Sequence, residues 1–356
     1  MSVERPPALS ALEALAAQLG ADPELVQGAG GNVSLEDGGL LWVTGSGTWL
    51  SEALLRPTFL ALDVGDVRGA LARDAAALDP RALTRRDASG TMRPSIETPL
   101  HALMPQRVVL HLHSVRTLAF AVQSAAHDHL ADRLRGVPWG FVPYRQPGVP
   151  LTRAVADVIE AAVQAPDVLV LQNHGLVVAG PDVQSAAELL RSVEARLDGP
   201  SRPPPPPQLD ALNAWMSMDA SGAWRLPAEP CVHGLGTDPV SYQAFSRGVL
   251  YPDHAVFLGD GWPSASLSEP LTSSFHRHHE RSGRAPRFLV LEGVGVVVDA
   301  AIPRGAEAML GCAARVGARL PADVAVRPLD PRDVGALTEW EAERYRSQLD
   351  QAAPSP

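Results

Sequence analysis

Val168-Leu-Val-Leu-Gln-Asn-His-Gly-Leu-Val-Val-Ala-Gly180 reads as two short apolar strands folded about a tight turn, with Gly175 removing side-chain bulk beside His174. Helical patterns flank it, Arg153 to Gln164 before and Asp182 to Leu197 after. Further out, Leu9, Leu12, Leu15 and Leu19 space one apolar helix face that Gly20 can end. Leu40-Leu-Trp-Val-Thr44 and Val108-Val-Leu-His-Leu-His-Ser114 read as strands, the second followed by a helix from Arg116. Strands interleaved with amphipathic helices predict an α/β or α+β layered domain.

The hairpin stretch has an echo. It aligns without gaps on Phe288-Leu-Val-Leu-Glu-Gly-Val-Gly-Val-Val-Val-Asp-Ala300, and each copy is followed by proline and a helix rich in Ala, Glu and Leu. Any strand–turn–strand–helix unit would share this outline, so a degenerate repeat and a coincidence both remain open. The turn differs in one telling place: His174 corresponds to Val294. Between the two copies lies Ser201-Arg-Pro-Pro-Pro-Pro-Pro-Gln208, whose five prolines hold an extended, semi-rigid spacer. The expected organisation is a domain over 1–200, a linker over 201–208, a smaller α/β domain over 209–346 and a flexible tail over 347–356.

Composition removes several mechanisms. All thirty basic residues are arginine, so Schiff-base, pyridoxal-phosphate and Walker-type phosphate chemistry, each needing a lysine amine, is excluded. A formal charge of −10 without a basic stripe argues against a nucleic-acid partner. Cys231 and Cys312 are far apart and outside metal-ligand spacing, which suggests buried thiols in a reducing compartment. Neither a secretory pattern nor a bilayer-length apolar run is present, so a cytoplasmic protein without a membrane partner is expected.

The chemistry gathers on histidine. His111 and His113, at i and i+2 on one strand, project from the same face and can approach one ion. Two buried imidazoles without partners are costly, and a metal offsets that cost, although hydrogen-bonded histidines share the pattern. His174 at the hairpin turn is a third candidate; three histidines with an open position form the arrangement of a catalytic zinc site, while other transition ions also accept nitrogen ligands. Glu97 lies fourteen residues before His111, and a helix over Pro99 to Leu110 would return it to the metal as a base. A solvated glutamate at a helix N-terminus is the alternative. His101, at i+4 from Glu97, is expected to support the site or the packing. Gln27-Gly-Ala-Gly-Gly-Asn-Val-Ser34 and Thr44-Gly-Ser-Gly-Thr48 could cradle an oxyanion or simply turn a hairpin.

Taken in order, Gly30-Gly-Asn-Val-Ser34, Thr44-Gly-Ser-Gly47, Ser95-Ile-Glu97, His111-Leu-His113, Pro143-Tyr144 and Asn173-His-Gly175 make the chain resemble the class II aldolase/adducin family over roughly residues 10–200. That resemblance implies a three-layer α/β/α sandwich around a mostly antiparallel sheet, joined here to the smaller C-terminal α/β domain. It implies zinc on His111, His113 and His174, Glu97 as the base, and Gly31, Asn32, Ser46, Gly47 and Ser95 around a substrate phosphate. Phosphate-using aldolases carry two hydroxyl residues before the acid; Ile96 replaces the second, which leaves a non-phosphorylated substrate open. His127 or His129 falls near the place of a tyrosine that some aldolases supply from a neighbouring subunit.

The resulting expectation is a metal-dependent aldehyde-lyase cleaving a sugar or sugar phosphate through an enediolate. Epimerase, decarboxylase or dehydratase chemistry at the same site and an adducin-like scaffold are the rivals. A homo-oligomer, possibly a tetramer, is expected from the resemblance. The match looks most like the aldolase part of rhamnulose-phosphate aldolase/dehydrogenase-like proteins, but no Gly-x-Gly-x-x-Gly segment follows it in this sequence. In the second domain, His276-Arg-His-His279 reads as a polar helix face, Tyr251-Pro-Asp-His254 as a turn before a strand, and Trp340 to Tyr345 as a C-terminal helix.

Overall fold

The computed structural model describes residues 4–74, 83, 92–219 and 222–352. The chain divides into two compact units, residues 1–121 with 125–198 and residues 199–356 with 122–124.

The first unit is an α/β sandwich built on seven strands: β1 (Asn32–Asp37), β2 (Leu40–Thr44), β3 (Phe59–Asp63), β4 (Val108–Leu112), β5 (Trp139–Val142), β6 (Val168–Leu171) and β7 (Gly175–Gly180). Their spatial order is β3-β2-β1-β4-β7-β6-β5, and every pairing is antiparallel except β5 with β6. The period-2 rule sorts the side chains. Val108, Leu110 and Leu112 join Val33, Leu35, Val168 and Val170 in a core with Leu9, Leu12 and Leu19 of helix Pro7–Gly20 and Leu190 and Val193 of helix Val183–Leu197. On the opposite face Val109, Leu169, Leu171 and Val177 pack with Leu100 of helix Thr98–Leu103 and with Leu151 and Val155 of helix Val149–Ala161. His111 leaves β4 on the second face, in step with Val109.

Helix Thr98–Leu103 is shorter than the expected Pro99 to Leu110. Pro105 is the reason: its ring disfavours helical dihedrals in the residue before it, and Met104 is extended at ψ 132°. The turn that follows delivers the chain directly into β4.

The second unit holds β8 (Trp224–Arg225), β9 (Ser264–Ala265), β10 (Phe288–Leu291) and β11 (Gly295–Asp299) in the order β8-β11-β10-β9. β11 is antiparallel to β8 and β10, and β9 is parallel to β10. That is the pairing of β4, β7, β6 and β5, in the same chain order, with the same three-residue turn from Leu171 to Gly175 and from Leu291 to Gly295. Continuing the β8–β11 register puts Leu226 and Ala228 where β4 has His111 and the residue beyond it has His113. Val294 takes the place of His174, and Leu226 and Val294 lie against one apolar cluster with Leu212, Trp215, Leu289 and Val297. At the positions of His111 and His174 the echo has hydrocarbon, while the buried His233 beside Gly295 accepts from Val296 N.

At the start of the expected linker, Arg202 donates to both Asp238 oxygens, at 3.0 and 2.6 Å, and to the Gly317 and Leu320 carbonyls. Ala255 to Leu258 is not a strand; His254–Leu258 forms a π-helical turn. The last helix runs Glu341–Ala352, through most of the stretch expected to be a flexible tail, whose final residues 353–356 lie outside the described ones. His276 and His279 are exposed on helix Leu271–Ser282, whereas His278 is turned inward. Among the described residues, no helix is long and apolar enough to cross a membrane.

Candidate metal centre

Three local devices bring the histidines together. His111 is the penultimate residue of β4, and His113 follows one residue past the strand's end. Ser114, next along, accepts from Thr117 N and donates to Glu194 Oε1 at 2.6 Å, which anchors the exit of the chain from the strand. His174 is the last residue of the β6–β7 turn. Asn173 there adopts φ 54°, a left-handed conformation that asparagine tolerates better than branched residues do. Gly175 permits the close approach: a Cβ on it would lie 2.5 Å from the Leu112 carbonyl oxygen and 3.3 Å from the His113 ring.

The three rings lie 5.0–5.3 Å apart, each steeply inclined to the others. One nitrogen from each lies within 4.8 Å of the others, and all three side chains are buried. Glu97, the residue preceding helix Thr98–Leu103, extends its carboxylate between two of them. Oε2 is 3.3 Å from His111 Nε2, and Oε1 is 3.3 Å from His174 Nε2.

Behind the carboxylate runs a buried polar string. Asn32 Nδ2 donates to Glu97 Oε2 at 2.8 Å, Asn32 Oδ1 meets His101 Nε2, and His101 Nδ1 is 2.7 Å from Ser34 Oγ. Burial pushes the Glu97 carboxyl up, but the facing imidazoles of His111 and His174, when cationic, and the Asn32 amide outweigh it and hold it at about 2. Burial, reinforced by His111, holds His101 down at about 3 and keeps it neutral at neutral pH.

The donor set fits a divalent transition ion. His111 Nδ1 lies 3.1 Å from the Leu176 carbonyl, a contact that requires the proton on Nδ1 and leaves the Nε2 lone pair facing the centre. Three imidazole nitrogens and a neighbouring carboxylate suit zinc and related ions, and are unlike the oxygen cages that hold calcium or magnesium.

The residues expected around a phosphate are arranged less uniformly. Gly31, at φ 70°, closes on the His111 carbonyl, and a Cβ there would lie 2.7 Å from that oxygen. Gly45 bridges Pro94, so the turn bearing Ser46 and Gly47 runs beside the segment bearing Ser95. Ser46 N is already committed to the Arg93 carbonyl at 2.8 Å, and Ser95 Oγ accepts from Glu97 N at 3.2 Å. Asn32 is turned to Glu97 and His101. His127 and His129 are exposed on helix Ala126–Arg133, with His127 against the Trp139 and Phe141 rings. The sequence reading missed the Ser34–His101–Asn32 string; its signal was two same-face pairs, Asn32 with Ser34 and Glu97 with His101.

The sequence pattern of the Class II Aldolase and Adducin N-terminal domain matches residues 12–198. A Bacillus subtilis (strain 168) protein named uncharacterized oxidoreductase YuxG is 28% identical over 175 residues, which is 46% of this chain but 25% of that protein. The chain thus spans about a quarter of that relative's length. Among solved structures, the N-terminal class II aldolase domain of a conserved protein from Thermoplasma acidophilum is 24% identical with a TM-score of 0.46, covering 55% of this chain and 95% of that one. A sugar-phosphate aldolase from Thermotoga maritima is 16% identical with a TM-score of 0.42, covering 53% and 91%.

Proposed function

Because this chain belongs to the class II aldolase and adducin family over residues 12–198, we propose that it is a metal-dependent aldehyde-lyase acting on a sugar or sugar phosphate. One observation carries the reading: three buried imidazoles converge beside a carboxylate that a second set of buried groups holds in place. His111, His113 and His174 would hold the ion, zinc being favoured by the nitrogen donors. When bound there, such an ion would supply Lewis-acid polarisation of paired hydroxyl and carbonyl oxygens.

Glu97 supplies the proton transfer. Its Oε2 is held by Asn32, so Oε1 is the oxygen that would take a hydroxyl proton from the substrate and return it to carbon. The apolar strands around the histidines exclude water and keep the rings from rotating. Gly31, Ser46, Gly47 and Ser95 would meet the substrate's anionic end through backbone N–H groups and hydroxyls left over from the contacts above. The second unit, with hydrocarbon at the corresponding positions, is assigned a structural role.

The test is product analysis of the metal-loaded protein on a panel of ketoses and ketose phosphates, beside Glu97→Gln. Cleavage to an aldehyde and a ketone fragment, lost in the variant by a factor of about 10² to 10⁴, supports the lyase. An epimer, carbon dioxide or a dehydrated sugar would assign the site to epimerase, decarboxylase or dehydratase chemistry. A protein without stoichiometric metal and without turnover would be a scaffold.

A further inference from the structure

Two pairs of residues interlock behind Glu97. Asn32 and Ser34 stand at i and i+2 on β1, so both side chains leave the sheet on one face, while Val33 and Leu35 enter the opposite core. Glu97 and His101 stand at i and i+4 across the start of helix Thr98–Leu103, so they share one side of that helix. The four meet in alternation: Ser34 with His101, His101 with Asn32, Asn32 with Glu97. Ser34 is fully buried, His101 is 1% exposed, and Asn32 and Glu97 are each 6% exposed.

Hydrogen-bond chemistry gives the string one direction. An ionised carboxylate only accepts, so the Asn32 group facing Glu97 is its NH₂, and Oδ1 faces His101. His101 Nε2 must therefore carry a proton and donate it to Oδ1. In the neutral ring Nδ1 then accepts from the Ser34 hydroxyl. Without His101, Asn32 Oδ1 loses the donor that marks it as the oxygen end of the amide, and a flipped Asn32 would turn an oxygen lone pair toward the carboxylate.

We propose that His101 is a positioning residue: with Ser34 it locks the orientation of the Asn32 amide, and through that amide it fixes Glu97 against the three histidines. The inference rests on the reading of Glu97 as the proton-transfer group. Its structural half stands independently of that reading.

The experiment compares the full-length protein with His101→Leu, His101→Gln, Asn32→Ala and the double variant Asn32→Ala/His101→Leu. Three readouts are taken: metal content, a high-resolution crystal structure, and kinetics on whichever substrate the panel identifies. In His101→Leu the bound metal stays at the wild-type level, the Asn32 amide rotates, and the Glu97 carboxylate moves away from its place between His111 and His174. kcat falls about 10- to 100-fold while KM stays within about threefold. His101→Gln, which can still donate to Oδ1, recovers most of the loss. The double variant is no worse than Asn32→Ala alone, because His101 acts only through Asn32.

Unmoved Asn32 and Glu97 in His101→Leu, or additive losses in the double variant, would overturn the proposal. Loss of metal from His101→Leu would overturn it too, by showing that His101 supports the ligands instead. Should Glu97→Gln retain full activity, the reading of the base fails, yet the crystallographic displacement still reports on the string by itself. If His101→Leu does not fold, Ser34→Ala carries the same structural comparison.

Discussion

Asn32 and His111 oppose each other directly across β1 and β4, so their side chains leave the sheet on the same face. Glu97 Oε2 completes a triangle with them, 2.8 Å from the amide nitrogen and 3.3 Å from the imidazole. Two strands distant in the chain are thus registered so that the group orienting the carboxylate and a candidate ligand stand side by side. A slip of one residue in this pairing would send Asn32 into the opposite core.

Each imidazole is expected to be needed for retention of an ion. In His111→Ala, His113→Ala or His174→Ala, bound metal after dialysis falls from about one ion per chain to below about a tenth of that. Elemental analysis by mass spectrometry measures it, and full retention in any one variant removes that residue from the ligand set.

Gly175 is a steric requirement. A methyl group there meets the Leu112 carbonyl oxygen at 2.5 Å, and backbone on both sides is fixed by the β4–β7 ladder. Gly175→Ala lowers the unfolding free energy by about 1 to 3 kcal/mol and weakens metal retention by pushing His113 away from His174. Gly199→Ala, whose added carbon meets nothing within 4 Å, is the control and stays within about 0.5 kcal/mol of the parent. Denaturant titration separates the two.

The left-handed turn residue makes a graded prediction. Asn173, at φ 54° and buried, costs less to replace by glycine than by valine, the difference being about 1 to 3 kcal/mol for the strained conformation. Equal midpoints for the two variants would contradict the backbone argument.

Acid weakens the second unit through His254. Leu250 N donates to His254 Nδ1, and burial holds the ring at about 4 against an ordinary 6.5. Between those values the unfolded chain binds the proton and the folded one does not, so stability is full above pH 6.5 and declines as pH falls toward 4. At pH 4.5 the loss from this residue is about 2 to 3 kcal/mol. His254→Gln, which keeps an acceptor but does not titrate, should show a stability profile flatter by that amount. An unchanged profile would contradict the assignment.

Much of this was legible in the chain because short-range periodicity carried it. The i, i+2 spacing of His111 and His113 and the turn glycine after His174 are local signals, and the strands formed where those signals lie. The echo between the two hairpins was also visible, but not that β8 and β9 extend it, since two-residue strands leave no periodic trace. Ala255 to Leu258 was misread because four apolar residues fit a strand and a helical turn equally well. The string behind Glu97 was hidden for a different reason. Its members belong to β1 and to a helix some sixty-five residues later, and only the fold brings Asn32 to Glu97.

The most direct test is a crystal structure of the purified protein with anomalous data collected on both sides of the zinc edge. A single peak is expected about 2.0 to 2.1 Å from one nitrogen each of His111, His113 and His174, with Glu97 alongside. Density showing no ion there, with the three rings turned to separate partners, would contradict it.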